Sequence, residues 1–380
     1  YADNKYLSRN DSDVRLGSGS NIDLSSSSGG VGIYANSTRL TGEGSLSVGN
    51  SGVGLYAKDS DVNLNNFTLN LNGDKALGFY LDGNTNFTGN GNININGNGI
   101  LVFNINSNGT FTNDFIINSS AGSTYTLGNV ADNTFRYTGS ASLAGNGSFI
   151  YGKNSAVLLD TGSVINAAED NVVGISMEGQ YNGSLPSGFQ SGVDAENKGD
   201  ITLTGSNSAG IYAENSSRVK NSGNITVGNN SAGISTKGTA SSAVNSGTIS
   251  IGEISTGIYG SESSFAENTA DGKILSNASE TAGIYMDGGA TAQLINNGLV
   301  ELNGDKSRGI YVKGNGVKTI TNNGTVKIGN SSDINNPGIG IYSTSSGNTI
   351  LNSGNILTGN NSVGIYAGGG TINQSGLIMT

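Results

Sequence analysis

The sequence has no cysteine, no histidine, no tryptophan and only two prolines in 380 residues. Each absence excludes something. Without cysteine the fold cannot rest on disulfides, which is compatible with export but does not establish it. Without histidine or cysteine there is no Ser-His-Asp or Cys-His nucleophile, and zinc lacks its usual ligands. Only 12% of residues are charged, and the 18 Lys and Arg are scattered singly, so the cation stripe that tracks a phosphate backbone is missing. No apolar run approaches the roughly 20 residues of a membrane-spanning helix, and no charged-then-apolar signal segment opens the sequence. No Walker A line occurs, and the Gly-rich "NGNGI" near Asn96 follows no strand-to-helix switch. The Gly-Gly-x-Gly-x-Asp line of calcium-binding nonapeptides is also missing.

What is present is glycine, 62 of it, with asparagine nearly as common, and a net charge of −10. Such a composition suits either a disordered chain or an ordered repeat. Disorder goes with high charge and few β-branched or aromatic residues. Here Ile, Val, Thr and Tyr recur at fixed places, which favours order without one large central core.

One line, G-[I/L/F]-[Y/S], returns along most of the chain, as in Gly32-Ile33-Tyr34, Gly54-Leu55-Tyr56, Gly257-Ile258-Tyr259 and Gly364-Ile365-Tyr366. Most steps between copies are 22 to 26 residues. A second line, N-x-G-x-[I/V]-x-[V/I/L], precedes it by about ten residues, for example from Asn221 to Val227 and from Asn245 to Ile251. A third apolar piece leads into each Asn, at Val219, Val244, Leu294, Ile320, Ile350 and Ile372. Within each piece apolar and polar residues alternate, the strand period of two. In "VGIYA" the alternation predicts Val31, Ile33 and Ala35 on the inner face, with Gly32 and Tyr34 outside.

Three short strands per unit of about 24 residues predict an all-β chain folded as a right-handed parallel β-helix, a triangular solenoid. About fifteen coils at roughly 4.8 Å each would make a rod on the order of 70 Å long. The Asn of N-x-G is placed at a corner, where Asn and Gly tolerate left-handed backbone and stacked amides can bond along the rod.

The repeat divides the chain into regular coils at 1–99, degenerate aromatic-rich coils at 100–152, and regular coils at 153–380 carrying an insertion loop at 179–197, within one continuous solenoid. The aromatics of the middle part are Phe103, Phe111, Phe115, Tyr125, Phe135, Tyr137, Phe149 and Tyr151. They either fill a wider core or form a patch for a partner. The insertion lies in the gap of 36 residues between Gly174 and Gly210, and solenoid insertions map to surface loops, often on the binding face. Its candidate partner-binding residues are Tyr181, Leu185, Pro186, Phe189, Asp194 and Glu196. A smaller insertion, "SSDINNPG", begins at Ser331, and Arg308 stands where Ala or Val is usual, which suggests a local distortion.

Paired carboxylates in Asp11/Asp13 and Asp59/Asp61 could share a strand face, though solvated surface is the plainer reading. Polysaccharide lyases and hydrolases are built on parallel β-helices, but such sites need clustered carboxylates or carboxylates with Arg or Lys. Asp194, Glu196 and Asp200 form the one acidic group near an insertion, and the adjacent Glu169 and Asp170 would point apart on a strand. No catalytic residue, metal or cofactor is expected. The tyrosine column from Tyr34 to Tyr366 either stacks on itself or anchors a sugar or protein.

The recurring "NSAGIYAENSS" and "VKNSGNITVG" between Asn207 and Gly228 resemble passenger domains of type V autotransporters, most closely the very large fusobacterial outer-membrane adhesins. The likeness covers nearly the whole chain apart from 100–151 and the insertion. It implies an exported β-helical rod on the cell surface, held at the outer membrane by a C-terminal barrel that this chain lacks. Members adhere to host cells or other bacteria through protein or glycan receptors, and no catalytic residues carry over. The chain breaks off in mid-coil at "NQSGLIMT", as a segment of a longer passenger would. Three functions compete: an adhesin, a stalk that displays a tip located elsewhere, and a carbohydrate-active enzyme or phage-type tailspike. Nucleic acid is not an expected partner.

Overall fold

The computed structural model describes residues 6–7, 13–262, 265–287, 292–314 and 318–380. The chain forms two compact units, Tyr1–Asp194 and Ala195–Thr380. Among the described residues there is no helix, and the strands pair in parallel. The fold is the expected parallel β-helix.

In the second unit one turn runs through Ala209–Glu214, Arg218–Asn221 and Asn224–Val227 before the next begins at Ala232–Lys237. Each strand pairs with its counterpart one turn on: Ile211 lies opposite Ile234, Val219 opposite Ala243, and Ile225 opposite Ile249. Like therefore stacks on like. Ile211, Ile234, Ile258, Ile284, Ile310 and Ile341 are fully buried. Each such side chain contributes about 1.5–3 kcal/mol of burial, and only the neighbouring turns provide it. The third apolar piece departs from expectation at one point. Ala243, not Val244, takes the inner position opposite Val219, and Val244 is half-exposed.

The alternation predicted for "VGIYA" also fails at its first two residues. Gly32 and Ile33 are both buried, while Val31 and Tyr34 are half-exposed. The inward glycine has a steric cause. A Cβ on Gly257 would lie 2.6 Å from the Gly283 carbonyl oxygen and 2.4 Å from Ile274 Cγ2. The same collision, with the next turn's glycine oxygen, recurs at Gly210, Gly233, Gly283 and Gly309. None of these glycines has left-handed backbone, so close approach between turns demands glycine here.

The N-x-G asparagines likewise serve through their side chains. Asn221 is not left-handed; that conformation falls instead on Asn207, Asn230, Ile254, Glu280, Lys306 and Asn361. The expected amide ladder is present and buried. Asn197 Nδ2 donates to Asn221 Oδ1 at 2.8 Å, Asn221 to Asn245 at 2.9 Å, and Asn245 to Asn268 at 2.8 Å. It continues from Asn268 to Asn296 at 2.9 Å, to Asn322 at 2.8 Å, to Asn352 at 2.6 Å and to Gln374 Oε1 at 2.8 Å. The second donor of Asn221 meets the Gly223 carbonyl at 3.1 Å, and that of Asn245 meets Gly247 at 3.1 Å. Buried amides are tolerated only with partners of this kind.

The first unit has the same parallel sheet, through Val31–Asn36, Val53–Lys58, Leu77–Gly83, Ile100–Ser107, Thr124–Ala131, Asn146–Lys153 and Val173–Glu178. Its other two strands per turn fuse in places into longer ones, such as Asp61–Leu71 and Asn86–Ile95, with a register shift between Leu64 and Phe67. Phenylalanines fill its core. Phe87 stacks on Phe111 at 5.1 Å, Phe111 on Phe135 at 4.7 Å, and Phe103 meets Phe111 edge-on at 5.2 Å. Glycines opposite make room: a Cβ on Gly89 would stand 2.6 Å from Phe115 Cε2. Of the eight aromatics singled out between 100 and 152, seven are buried, which removes the partner-patch reading for them. The eighth, Tyr151, is half-exposed on the outer face.

Candidate functional site

The insertion leaves the sheet after Val173–Glu178 and has no strand or helix of its own through Val193. Internal hydrogen bonds shape it, two of them through Tyr181. Tyr181 N–H donates to Asp194 Oδ1 at 2.9 Å, and the Tyr181 hydroxyl donates to the Ser184 carbonyl at 3.2 Å. Partial burial pushes the Tyr181 phenol up from its ordinary value. The loop reaches back over the strands beneath it, since a Cβ on Gly188 would lie 3.7 Å from Leu158 Cδ2 and 3.8 Å from Arg136 Cζ. Arg136 is itself ion-paired with Asp160.

The six candidate contact residues fall into two sets. Tyr181, Leu185, Pro186 and Phe189 are partly exposed and belong to the loop itself. Asp194 and Glu196 are buried and held by internal partners. Asp194 closes the base of the loop through Tyr181, and its carbonyl accepts from Val157 N–H at 2.8 Å. Glu196, in the second unit, accepts from Ser222 Oγ at 2.7 Å and lies 3.4 Å from Lys198 Nζ and 3.6 Å from Lys220 Nζ. These two carboxylates are engaged in the scaffold and face no solvent.

The other acidic candidates are dispersed. Asp11 lies outside the described residues. Asp59 occupies a left-handed turn, so it shares no strand face with Asp61. Glu169 and Asp170 sit in an exposed bend, and Asp200 accepts from Asn224 Nδ2 at 2.7 Å. Among the described residues no group of three or more Asp or Glu is placed to hold a metal. At the smaller insertion, Ser331 Oγ and Ser332 N–H donate to Asp305 Oδ1 at 2.8 and 3.0 Å. The Ser332 side chain, then its backbone and Ser331, hold the Asp305 carboxyl down at about 2. Arg308 fits the repeat by lying over the rings of Tyr311 and Tyr342, 5.3 and 5.4 Å from their centroids, a cation–π clamp that composition alone does not reveal.

The tyrosines meet ring to ring where they occupy neighbouring turns, stacked or edge-on, and Ser235 stands between Tyr212 and Tyr259. In the first unit Tyr34–Tyr56 and Tyr56–Tyr80 are each 5.2 Å apart. In the second, Tyr285–Tyr311 are 4.5 Å apart and Tyr342–Tyr366 5.0 Å. Their hydroxyls find acidic partners: Tyr56 on Asp82 at 3.1 Å, Tyr212 on Glu214 at 2.9 Å, Tyr285 on Asp287 at 3.0 Å. Burial first, then these bonds, push the phenols of Tyr56 and Tyr212 up to about 12. In the first unit the column is interrupted. The register carries Tyr80 to Asn104, Asn104 to Asn129 and Asn129 to Tyr151. Tyr151 rejoins the column although no glycine precedes Ile150 to complete the G-I-Y line there.

These features make a repetitive lattice with an irregular loop that carries partly exposed apolar side chains; Ile254 and Ile334, in other turns and loops, are exposed as well. Comparison with known proteins agrees on the lattice. No curated protein and no solved structure matches the chain. One family model, the BigA third pectate lyase-like domain, matches residues 61–256 and again residues 250–376. BigA domains belong to bacterial surface proteins. With most of its length matched, the chain belongs to the family of the BigA third pectate lyase-like domain.

Proposed function

We propose that the chain is a passenger-type β-helix displayed outside a bacterial cell, and that it attaches the cell to a host or bacterial surface receptor through the loop at 179–194. The observation that carries this reading is the contrast between scaffold and loop. The strands repeat one register turn upon turn, whereas the loop holds Leu185, Pro186 and Phe189 partly exposed on irregular backbone. Partly exposed apolar side chains on a loop held by a rigid frame are a common basis for recognition. Anchorage by an outer-membrane barrel, as in autotransporters, belongs to the same proposal, as does the absence of catalysis. "Pectate lyase-like" describes the lattice, and the acidic side chains are scattered over it.

The test is adhesion of the purified chain to epithelial and bacterial cells, beside a Leu185→Ser/Phe189→Ser variant. That variant keeps the Tyr181–Asp194 bond that closes the loop. The expected result is binding by the parent and at least a tenfold loss in the variant, about 1.4 kcal/mol or more. Equal binding by both would remove the loop from the contact. Binding by neither would replace adhesion with the spacer reading, and turnover of a polysaccharide by the chain would overturn the non-catalytic one.

A further inference from the structure

The interrupted tyrosine column leaves a hollow in the outer face of the first unit. Where the register calls for rings it has Asn104 and Asn129, whose amides are shorter than a phenol and pair with each other at 3.0 Å, Nδ2 of Asn129 to Oδ1 of Asn104. A groove of about 520 Å³ opens beside them, within the usual range for small-molecule sites. Leu101, Thr124, Thr126, Asn129, Asn146 and Tyr151 line it. Among the described residues, none that lines it is charged.

The walls specify a ligand chemistry. Tyr151 is the ring on one side, its hydroxyl donating to the Glu178 carboxylate. Asn129 spends one donor on Asn104, and a primary amide has a second N–H and a carbonyl with two lone pairs. Asn146 adds an exposed amide and Thr126 a half-exposed hydroxyl. One aromatic face with amides and hydroxyls around it matches a molecule that carries C–H groups on one side and hydroxyls at its rim. The uncharged lining disfavours phosphate or carboxylate ligands. The groove lies on the face of a sheet whose strands pair on both sides, Thr126 with Leu101 and with Ser148, so an added peptide strand has no edge to join. We propose that this groove binds a neutral sugar ring of a surface glycan. The proposal rests on the adhesin reading only for the source of that glycan.

Saturation-transfer NMR on the full chain tests it, with maltotriose, lactose and diacetylchitobiose as neutral probes and trigalacturonate as the acidic one. At least one neutral probe is expected to bind. Asn129→Tyr sets a ring opposite Tyr151 in the register and fills the hollow, so it should keep the fold by circular dichroism and weaken that probe about tenfold or more. Tyr151→Ala should weaken it too, while Leu185→Ser/Phe189→Ser should leave it unchanged. No binding of any neutral probe, binding of trigalacturonate alone, or full binding by Asn129→Tyr would overturn the proposal. Sugar binding that survives the loop variant while cell adhesion is lost would separate this site from the loop.

Discussion

Asn245 stands inside the amide ladder, accepting from Asn221 at 2.9 Å and donating to Asn268 at 2.8 Å. Asn245→Ala would strand a donor above and an acceptor below in a buried column. Each orphan costs about 1–3 kcal/mol, so the urea midpoint of the chain should fall markedly. An unchanged midpoint would mean the ladder contributes no net stability. Gly257 is the complementary case, where the demand is for nothing at all. With the Gly283 oxygen 2.6 Å from where its Cβ would be, Gly257→Ala should cost about 1–3 kcal/mol through displaced backbone. Of the two roles the sequence suggests for the N-x-G asparagine, the amide ladder is present and the left-handed backbone falls on other positions such as Asn230 and Glu280, while the glycine that alternation places outside turns inward.

At the scale of strands and turns, much was legible and the gaps have physical causes. Three strands per turn follow from period-two alternation copied at a near-constant interval, because each turn can be covered only by another like it. The inward turn of the glycine was hidden because alternation breaks within the strand itself. In the aromatic turns the repeat fades because the residues flanking the core ring change: Val102 and Asn104 stand where the preceding turn has Gly78 and Tyr80, while Phe103 still pairs with Phe79. Those rings interlock, so Phe111→Ala, which loses contacts to Phe87, Phe103 and Phe135, should destabilise the first unit by about 3–5 kcal/mol in a thermal or urea melt. A loss under 1 kcal/mol would show that neighbouring rings collapse into the space. In the candidate loop, the exposed apolar residues were legible as an insertion. The burial of Asp194 and Glu196 was not, because it depends on partners remote in sequence such as Lys220 and Ser222.

Over the whole molecule, the absence of histidine sets the response to pH. Few groups titrate between about pH 6 and pH 8.5, so stability should be nearly flat there. Above that range the tyrosines take over. Tyr56, Tyr125 and Tyr212 are raised to about 12, chiefly by burial. A raised folded value means the stability they contribute is complete below their ordinary value near 10 and is lost as pH climbs through about 12. Melting temperature should therefore hold to about pH 10 and then fall as pH climbs toward about 12. A melting temperature unchanged between about pH 10 and about pH 12 would contradict this. The ladder carries a last consequence. Its successive members are separated by 24, 24, 23, 28, 26, 30 and 22 residues, yet their bonds all lie between 2.6 and 2.9 Å. The length of a turn is thus uncoupled from its place in the lattice. Extra chain loops outward, as at 331–338, and lengthening a surface loop adds little closure entropy. The second unit is in effect a carrier whose payload can grow while its frame stays still.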